Sequence, residues 1–188
     1  MSETESTRVQ RLERILEITR ELTSTVALER LLHKIVDVAA EVTGSEAASI
    51  LLLDVRSGEL RFRAESGDPS GLLDIPVPVE DSIAGAVLLS GEPCVISDTC
   101  ADPRHYDAVG EQVGRQTCSL LAVPLQIKDR RIGVLEAVNK EEGDTFDQDD
   151  VEILTALAAQ AAVAIETARL VEATVSYTHL TLPTILLV

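Results

Sequence analysis

The chain has 188 residues, of which 45% are apolar and 26% are charged, a composition typical of a single globular domain. Lys and Arg number 16 against 32 Asp and Glu, so the net charge is −16. A surface this acidic repels phosphate backbones and anionic lipids, which argues against binding to nucleic acid or to a membrane surface. The chain also has no Trp, two Phe and two Tyr, too few aromatic residues to stack single-stranded nucleic acid.

The N-terminal residues and the cysteines bear on where the protein resides. The first residues are polar and charged, unlike a signal peptide. No run of about 18 apolar residues occurs, so no transmembrane helix is expected. Cys94, Cys100 and Cys118 form no C-x-x-C pair, which favours reduced thiols. We therefore expect a cytoplasmic protein.

Residues 1–23 are predicted to contain an N-terminal helix. Leu12, Ile15 and Leu22 follow the alternating spacing of three and four that is typical of a seam between two helices. The segment either forms a dimer and linker helix or lies on its own domain, and two heptads do not distinguish these structures.

The next elements are a helix and an antiparallel hairpin. Residues 26–43 carry one broad apolar stripe, typical of a helix that faces a core. Residues 47–54 and 59–65 then change to strand patterns around a turn at 56–58. In the second strand the alternation predicts Leu60, Phe62 and Ala64 on one inward face.

The middle of the chain alternates short elements and loops. Residues 75–79 contain two prolines and are predicted to form an edge strand. A short helix over 82–90, capped by Asp81 or Ser82, precedes a strand at 94–97. A long connection over 99–115 leads to a second hairpin, with strands at 117–127 and 131–139.

The last predicted helix has a strong start signal. Asp147 is a suitable N-cap, Asp150 can reach back to it as in a capping box, and Phe146 fills a hydrophobic-staple position. Behind them the spacing of three and four recurs, and we interpret these apolar residues as the C-terminal part of a dimer interface: Leu154, Leu157, Ala161 and Ala168.

The C-terminal residues differ from the rest. Residues 176–188 contain no Asp, Glu, Lys or Arg and end in an apolar run, so we interpret them as a tail outside the domain, a cloning or assembly artefact. The predicted organisation is an N-terminal helix over 1–23, a domain with a signalling helix over 24–175 and the tail.

Several linked motifs resemble the GAF domain, a small-molecule sensor module of signalling proteins, in the form that bacterial proteins carry. The resemblance covers about residues 24–172 and rests on SILLLD (49–54), SIAGAVLLSGEPCVISD (82–98), TCSLLAVPL (117–125) and RIGVLEAVNK (131–140). It implies an α+β fold in which a six-stranded antiparallel sheet carries the terminal helices on one face. On the other face it implies a ligand pocket roofed by residues 82–115.

Asn139, Lys140, Phe146 and Asp150 resemble the N-K-x(n)-F-x(3)-D-E signature of cyclic-nucleotide-binding GAF domains, with Val151 in place of the final Glu. The resemblance implies that Lys140 and Asp150 pair and clamp the last strand to the last helix. A strand-end turn followed by a well-capped helix explains the same residues without any ligand.

Carrying the cyclic-nucleotide pocket over to this sequence implies six ligand-binding residues: Ser49, Ile83, Ala84, Tyr106, Thr117 and Glu136. The backbone groups of Ile83 and Ala84 would meet an anion at a helix N-terminus. The aromatic residue that stacks under the base falls near Glu65 or Ser66, so a stacking contact worth roughly 1–3 kcal/mol is missing. A cyclic nucleotide or another small molecule is the implied ligand, and no cofactor follows from the sequence.

Other functions are weaker predictions. A GAF-like enzyme family reduces free methionine sulfoxide with cysteines, but here Cys118 directly precedes Ser119 and Leu120 replaces the expected Glu. Cys94, Cys100, His105 and Cys118 follow no recognised zinc spacing, so no metal is expected, and a haem ligand at His105 is disfavoured. A dimerisation and signal-relay module without any ligand is the remaining alternative. We predict a non-enzymatic sensor that forms a homodimer through its terminal helices and acts on an output domain absent from this chain.

Overall fold

The computed structural model describes residues 28–67, 75–104, 116–141 and 145–180. The predicted N-terminal helix, with Leu12, Ile15 and Leu22, lies outside these residues. So do the predicted ligand contact Tyr106 and the candidate haem ligand His105.

The described elements are three α-helices, six β-strands and one short 3-10 helix at Thr99–Ala101. The helices are α1 (Leu28–Thr43), α2 (Ile83–Ser90) and α3 (Gln148–Leu180); the strands are β1 (Ser45–Leu53), β2 (Leu60–Glu65), β3 (Ile75–Val77), β4 (Cys94–Ile96), β5 (Leu120–Ile127) and β6 (Arg130–Lys140). The strands form one sheet in the order β3-β2-β1-β6-β5-β4, and each neighbouring pair is antiparallel. The predicted α+β fold with a six-stranded antiparallel sheet is confirmed, including the proline-containing strand β3 at one edge.

The sheet separates two hydrophobic cores. On one face, called the helix face here, the apolar stripe of α1 and the inner side of α3 pack against alternate residues of β1, β5 and β6, such as Ile50, Val123 and Leu135. On the other face, called the pocket face, α2 covers the intervening residues, such as Leu51, Ala122 and Val134. This two-sided burial explains the uninterrupted apolar runs at 50–53 in β1 and 120–123 in β5.

A β-bulge in the first hairpin corrects one detail of the predicted pattern. Phe62 pairs with Leu51 and Ala64 pairs with Ile50, so Arg63 is the extra residue in β2. Phe62 therefore lies in the pocket-face core and Ala64 in the helix-face core, instead of sharing one face. The bulge breaks the period of two, which sequence alternation alone does not reveal.

The structure also corrects the interpretation of the apolar residues on the last helix. Leu154, Leu157 and Ala161 are 0% exposed and Ala168 is 4% exposed within the single chain. They pack against α1 and the sheet in the helix-face core. Because one chain already covers these side chains, they are not available to a second copy, and their spacing reflects the core of the monomer.

Within the described part of the chain, one helical stretch, Gln148–Val171, is long and apolar enough to cross a membrane by length and composition. Half of its most apolar window is buried inside the domain, as expected of a helix that serves a core. Helix α3 continues to Leu180, so the first residues of the predicted tail are helical. Residues 181–188 lie outside the described part, and the origin of the tail stays a prediction.

Candidate functional site

The middle of the pocket face carries two polar residues that the sequence singled out. Ser49 of β1 and Glu136 of β6 are directly opposite each other in register, and Ser49 Oγ donates a hydrogen bond of 3.3 Å to Glu136 Oε2. Ala122 of β5 is the next residue in the same row. Residues directly opposite each other share a face of a sheet. The structure thus brings together two of the six predicted ligand contacts, on the face that α2 covers.

Glu136 is a carboxyl group in apolar surroundings. Its neighbours on the same face include Ala122 and Val134, both 0% exposed, and the hydroxyl of Ser49 is its hydrogen-bond donor among the described residues. Burial raises the pKa of Glu136 to about 7, and the Ser49 hydrogen bond opposes part of that rise. Near neutral pH this group can therefore either accept hydrogen bonds as a carboxylate or donate one as an acid.

Glu65 is a further pocket-face residue, and sequence reasoning did not identify it as a ligand contact. It pairs in register with Ser49 from β2 and is 8% exposed, so Glu65, Ser49 and Glu136 form one row across three strands. Ser66, the alternative at this position, instead exchanges hydrogen bonds with the backbone of Ala48. An acid thus occupies the position where an aromatic side chain was expected, and only the register could show this.

Helix α2 is held firmly over the sheet at both ends. Ser82 is the N-cap and accepts a hydrogen bond of 3.0 Å from the Gly85 N–H, while Gly91 ends the helix with φ of 77°. Arg131 of β6 donates to the carbonyl oxygen of Leu88 near the last turn, where a cation also complements the helix dipole. A Cβ at Gly85 would lie 1.8 Å from the carbonyl oxygen of Val79, so only glycine permits this close approach.

The predicted backbone donors at the start of α2 are not equivalent. The Ile83 N–H donates a hydrogen bond of 3.2 Å to the carbonyl of Arg104, so it is already used within the protein. The Ala84 N–H donates to no group in the described part of the chain. Of the two predicted anion-binding amides, that of Ile83 therefore already has an acceptor within the protein, and a role of Ala84 in binding an anion stays a prediction.

Thr117 lies just before β5, near a junction that Asn139 organises. Asn139 adopts a left-handed conformation with φ of 57°, accepts from the Cys118 N–H at 2.7 Å and donates to Glu46 Oε2 at 2.7 Å. The Thr99 hydroxyl donates to the Thr117 carbonyl oxygen. These bonds hold residues 117–118 to Thr99 and to the end of β6, whereas the side-chain hydroxyl of Thr117 has no hydrogen bond within the described residues.

The pairing of Lys140 with Asp150 is confirmed. Lys140 Nζ lies 2.8 Å from both carboxylate oxygens of Asp150 and 2.6 Å from the Thr43 carbonyl oxygen. It also lies 5.7 Å from the centre of the Phe146 ring. Asp147 and Asp150 exchange the two hydrogen bonds of the predicted capping box, at 2.9 and 3.1 Å. One ammonium group therefore joins α1, β6 and α3 on the helix face, away from Glu136.

No group of three His, Cys, Asp or Glu side chains that could hold a metal ion occurs in the described ranges 28–67, 75–104, 116–141 and 145–180. Cys100 and Cys118 are exposed and Cys94 is half-buried, and all three are free thiols.

Sequence comparisons agree with this geometry. The family model for the GAF domain matches residues 25–166. The probable 3',5'-cyclic phosphodiesterase pde-5 of Caenorhabditis elegans is 26% identical over 77% of this chain and 21% of its own length. The dual 3',5'-cyclic-AMP and -GMP phosphodiesterase 11A of Takifugu rubripes is 28% identical over 82% of this chain and 18% of its own. The chain spans about a fifth of the length of these relatives.

Solved structures share the fold. The GAF domain of a phosphoenolpyruvate-protein phosphotransferase from Coxiella burnetii superposes with a TM-score of 0.78, at 21% identity over 88% of this chain and 98% of that one. The free methionine-R-sulfoxide reductase of Neisseria meningitidis superposes with a TM-score of 0.70, at 23% identity over 90% and 95%. With a family match over residues 25–166 and the expected sheet, helices and Lys140–Asp150 clamp in place, this chain belongs to the GAF domain family.

Proposed function

We propose that this chain is the regulatory, non-enzymatic sensor domain of a cytoplasmic signal-transduction protein, and that it binds a small molecule on the pocket face. The observation that supports this most directly is the carboxyl group of Glu136. It lies half-buried among apolar side chains, under α2, with the Ser49 hydroxyl as its donor. A carboxyl group in such a position costs folding stability, and groups of this kind cluster at binding and catalytic sites.

The row of Glu65, Ser49 and Glu136 specifies what the ligand must offer. Two carboxyl groups and one hydroxyl accept hydrogen bonds more readily than they donate them, so the ligand should present amino, amide or hydroxyl groups to this row. The Ala84 N–H at the start of α2 is placed to meet an acceptor or anionic part of the same molecule. A purine with its sugar and cyclic phosphate has this distribution of groups, although the chain lacks the stacking aromatic.

The proposal is tested with a panel of candidate ligands. Cyclic AMP and cyclic GMP are the first compounds in it, a choice that the two phosphodiesterase relatives also support. Amines and nucleosides without a phosphate follow in the panel. A ligand present at about 100 times its dissociation constant adds about 2.7 kcal/mol of stability, which raises the Tm by roughly 5–11 °C at this size. Thermal unfolding of the whole chain against the panel is the measurement.

Variants identify where such a ligand binds. Glu136→Ala and Ser49→Ala should remove the ligand-dependent rise in Tm, while Glu92→Gln, which changes an exposed acid beside β4, should keep it. A rise that survives both pocket-face changes would place the ligand elsewhere. A panel without any rise in Tm would contradict the sensor proposal and favour the ligand-free relay.

Transmission of the signal is proposed to use a homodimer of the terminal helices. The buried residues predicted from spacing, such as Leu154 and Leu157, do not support this proposal. The exposed residues on the outer face of α3 do. There Val163 is 52% exposed and Leu170 is 63% exposed, and the exposed Ala156 precedes Val163 by the same seven residues. We propose that this outer face meets a second copy, and that ligand binding shifts the pair between two arrangements that an output domain in a longer protein would read.

A further inference from the structure

A second concave site lies on the helix face, away from Glu136. It is a pocket of about 610 Å³ at the end of β1, between the start of α1 and the later part of α3. Four arginines and one carboxylate supply its charges: Arg56, Arg61, Arg63, Arg169 and Asp54. Leu28, Leu52, Leu53 and Val55 supply the apolar wall. We call this site the arginine pocket.

Cationic side chains outnumber carboxylates in the lining of the arginine pocket. Arg61 lies 3.9 Å from Asp54 and 3.3 Å from Glu59, so two carboxylates approach the same guanidinium. Just outside the pocket, Arg130 and Glu166 form a pair at 2.5 Å. The lining thus brings four guanidinium groups together with one carboxylate, in a chain whose net charge is −16.

Arg169 shows the effect of this imbalance. It is half-buried and makes no hydrogen bond or ion pair with any residue in the described part of the chain. Burial lowers the pKa of Arg169, Glu166 opposes this, and the positive charges of Arg63 and Arg130 lower it further. Because a guanidinium stays protonated in proteins, Arg169 remains a partly desolvated cation beside other cations.

We propose that the arginine pocket binds a small polyanion bearing phosphate or carboxylate groups. Guanidinium groups bind such oxyanions through two parallel hydrogen bonds, which is why arginine is preferred at these sites. The volume lies within the range of small-molecule sites, roughly 300–1,000 Å³. Clustered cations in a concave site also concentrate anions, even on a protein that is negative overall. A bound anion would tie the β1–β2 turn to α3, the helix proposed to carry the signal.

Isothermal titration calorimetry of the whole chain in low salt tests this proposal, with pyrophosphate and citrate as probes. Both probes should bind if charge alone is recognised, and one should bind if the pocket selects phosphate or carboxylate. Arg169→Gln should weaken binding by about tenfold or more, since a hydrogen bond to a charged group is lost. Arg56→Gln, on an exposed turn, should also weaken it.

The matched control is Arg104→Gln, which removes the same charge beside α2 on the pocket face. It should leave the affinity for both probes within about twofold of the unsubstituted chain, because it lies outside the arginine pocket. Absence of binding by both probes overturns the proposal. So does an equal loss of affinity in Arg104→Gln, which would show attraction to general positive charge, or an unchanged affinity in Arg56→Gln and Arg169→Gln together.

Discussion

At the scale of single residues, Glu136 combines a role in the candidate site with a cost to folding. Its pKa is raised from 4.5 to about 7 because the carboxyl group is buried in the folded chain. The folded state therefore binds more protons than the unfolded state between these two values, and stability falls as the pH rises through this interval. At pH 8 the full penalty applies, and at pH 4.5 it is largely absent.

Replacing Glu136 with Gln should consequently stabilise the protein at pH 8, by at most about 3 kcal/mol, and have little effect near pH 4.5. Urea denaturation of both proteins at the two pH values measures the difference. Glu92→Gln, which changes an exposed acid, should show no such dependence on pH. An equal effect of Glu136→Gln at both pH values would mean that burial of the charge is not the cause.

The clamp of Lys140 and Asp150 makes a second prediction at this scale. The side chains are 11% and 1% exposed, so removing the ammonium group leaves a buried carboxylate without its cation. Lys140→Met should cost about 3–5 kcal/mol of unfolding free energy, measured by urea denaturation. In the Lys140→Met protein, Asp150→Asn should cost less unfolding free energy than it costs in the unsubstituted chain, because the ammonium group that paired with Asp150 is already absent.

Arg130→Met is the comparison for the clamp. It breaks an ion pair whose side chains are 62% and 23% exposed, so it should cost less than about 1 kcal/mol. Similar losses in Lys140→Met and Arg130→Met would contradict the conclusion that burial makes the clamp important.

At the scale of elements, α3 has two apolar faces with different roles. The inner face, including Leu157 and Ala161, fills the core of one chain, and the outer face exposes Val163 and Leu170. A charge on the inner face should unfold the domain, because a buried unpaired carboxylate has no compensation. A charge on the outer face should leave the fold intact and act on association only.

We therefore expect Val163→Glu to shift a dimer to monomers without changing the circular dichroism spectrum. Leu157→Glu should instead lower the Tm sharply or prevent folding. Analytical ultracentrifugation over a range of protein concentrations, together with thermal unfolding, separates the two effects. A Val163→Glu protein that associates as strongly as the unsubstituted chain would exclude the outer face of α3 as the interface.

At the scale of the whole molecule, one antiparallel sheet separates two sites of opposite charge. The pocket face presents carboxyl groups at Glu65 and Glu136, and the helix face ends in the arginine pocket. Each site contacts a different layer, since α2 covers the first while α1 and α3 border the second. Under the two proposals, the domain binds different ligands on its two faces, and the sheet connects both faces to α3.

The sequence by itself determined the order and type of the elements, because caps, turns and the two hydrophobic periods are local signals. Helix α3 begins at the predicted capping box of Asp147 and Asp150. Helix α2 begins after Ser82 and ends at Gly91, as predicted. The linked motifs also identified the family, and with it the pairing of Lys140 and Asp150.

Only the tertiary structure decided which surfaces these elements present. Spacing of three and four along α3 is the same for a core and for a dimer seam, and the packing of α1 and the sheet assigned Leu154 and Leu157 to the core. The bulge in β2 and the pairing of Glu65 with Ser49 depend on register. The arginine pocket joins Arg56 and Arg63 to Arg169, more than a hundred residues later in the chain. Such contacts form between distant segments, so no local pattern encodes them.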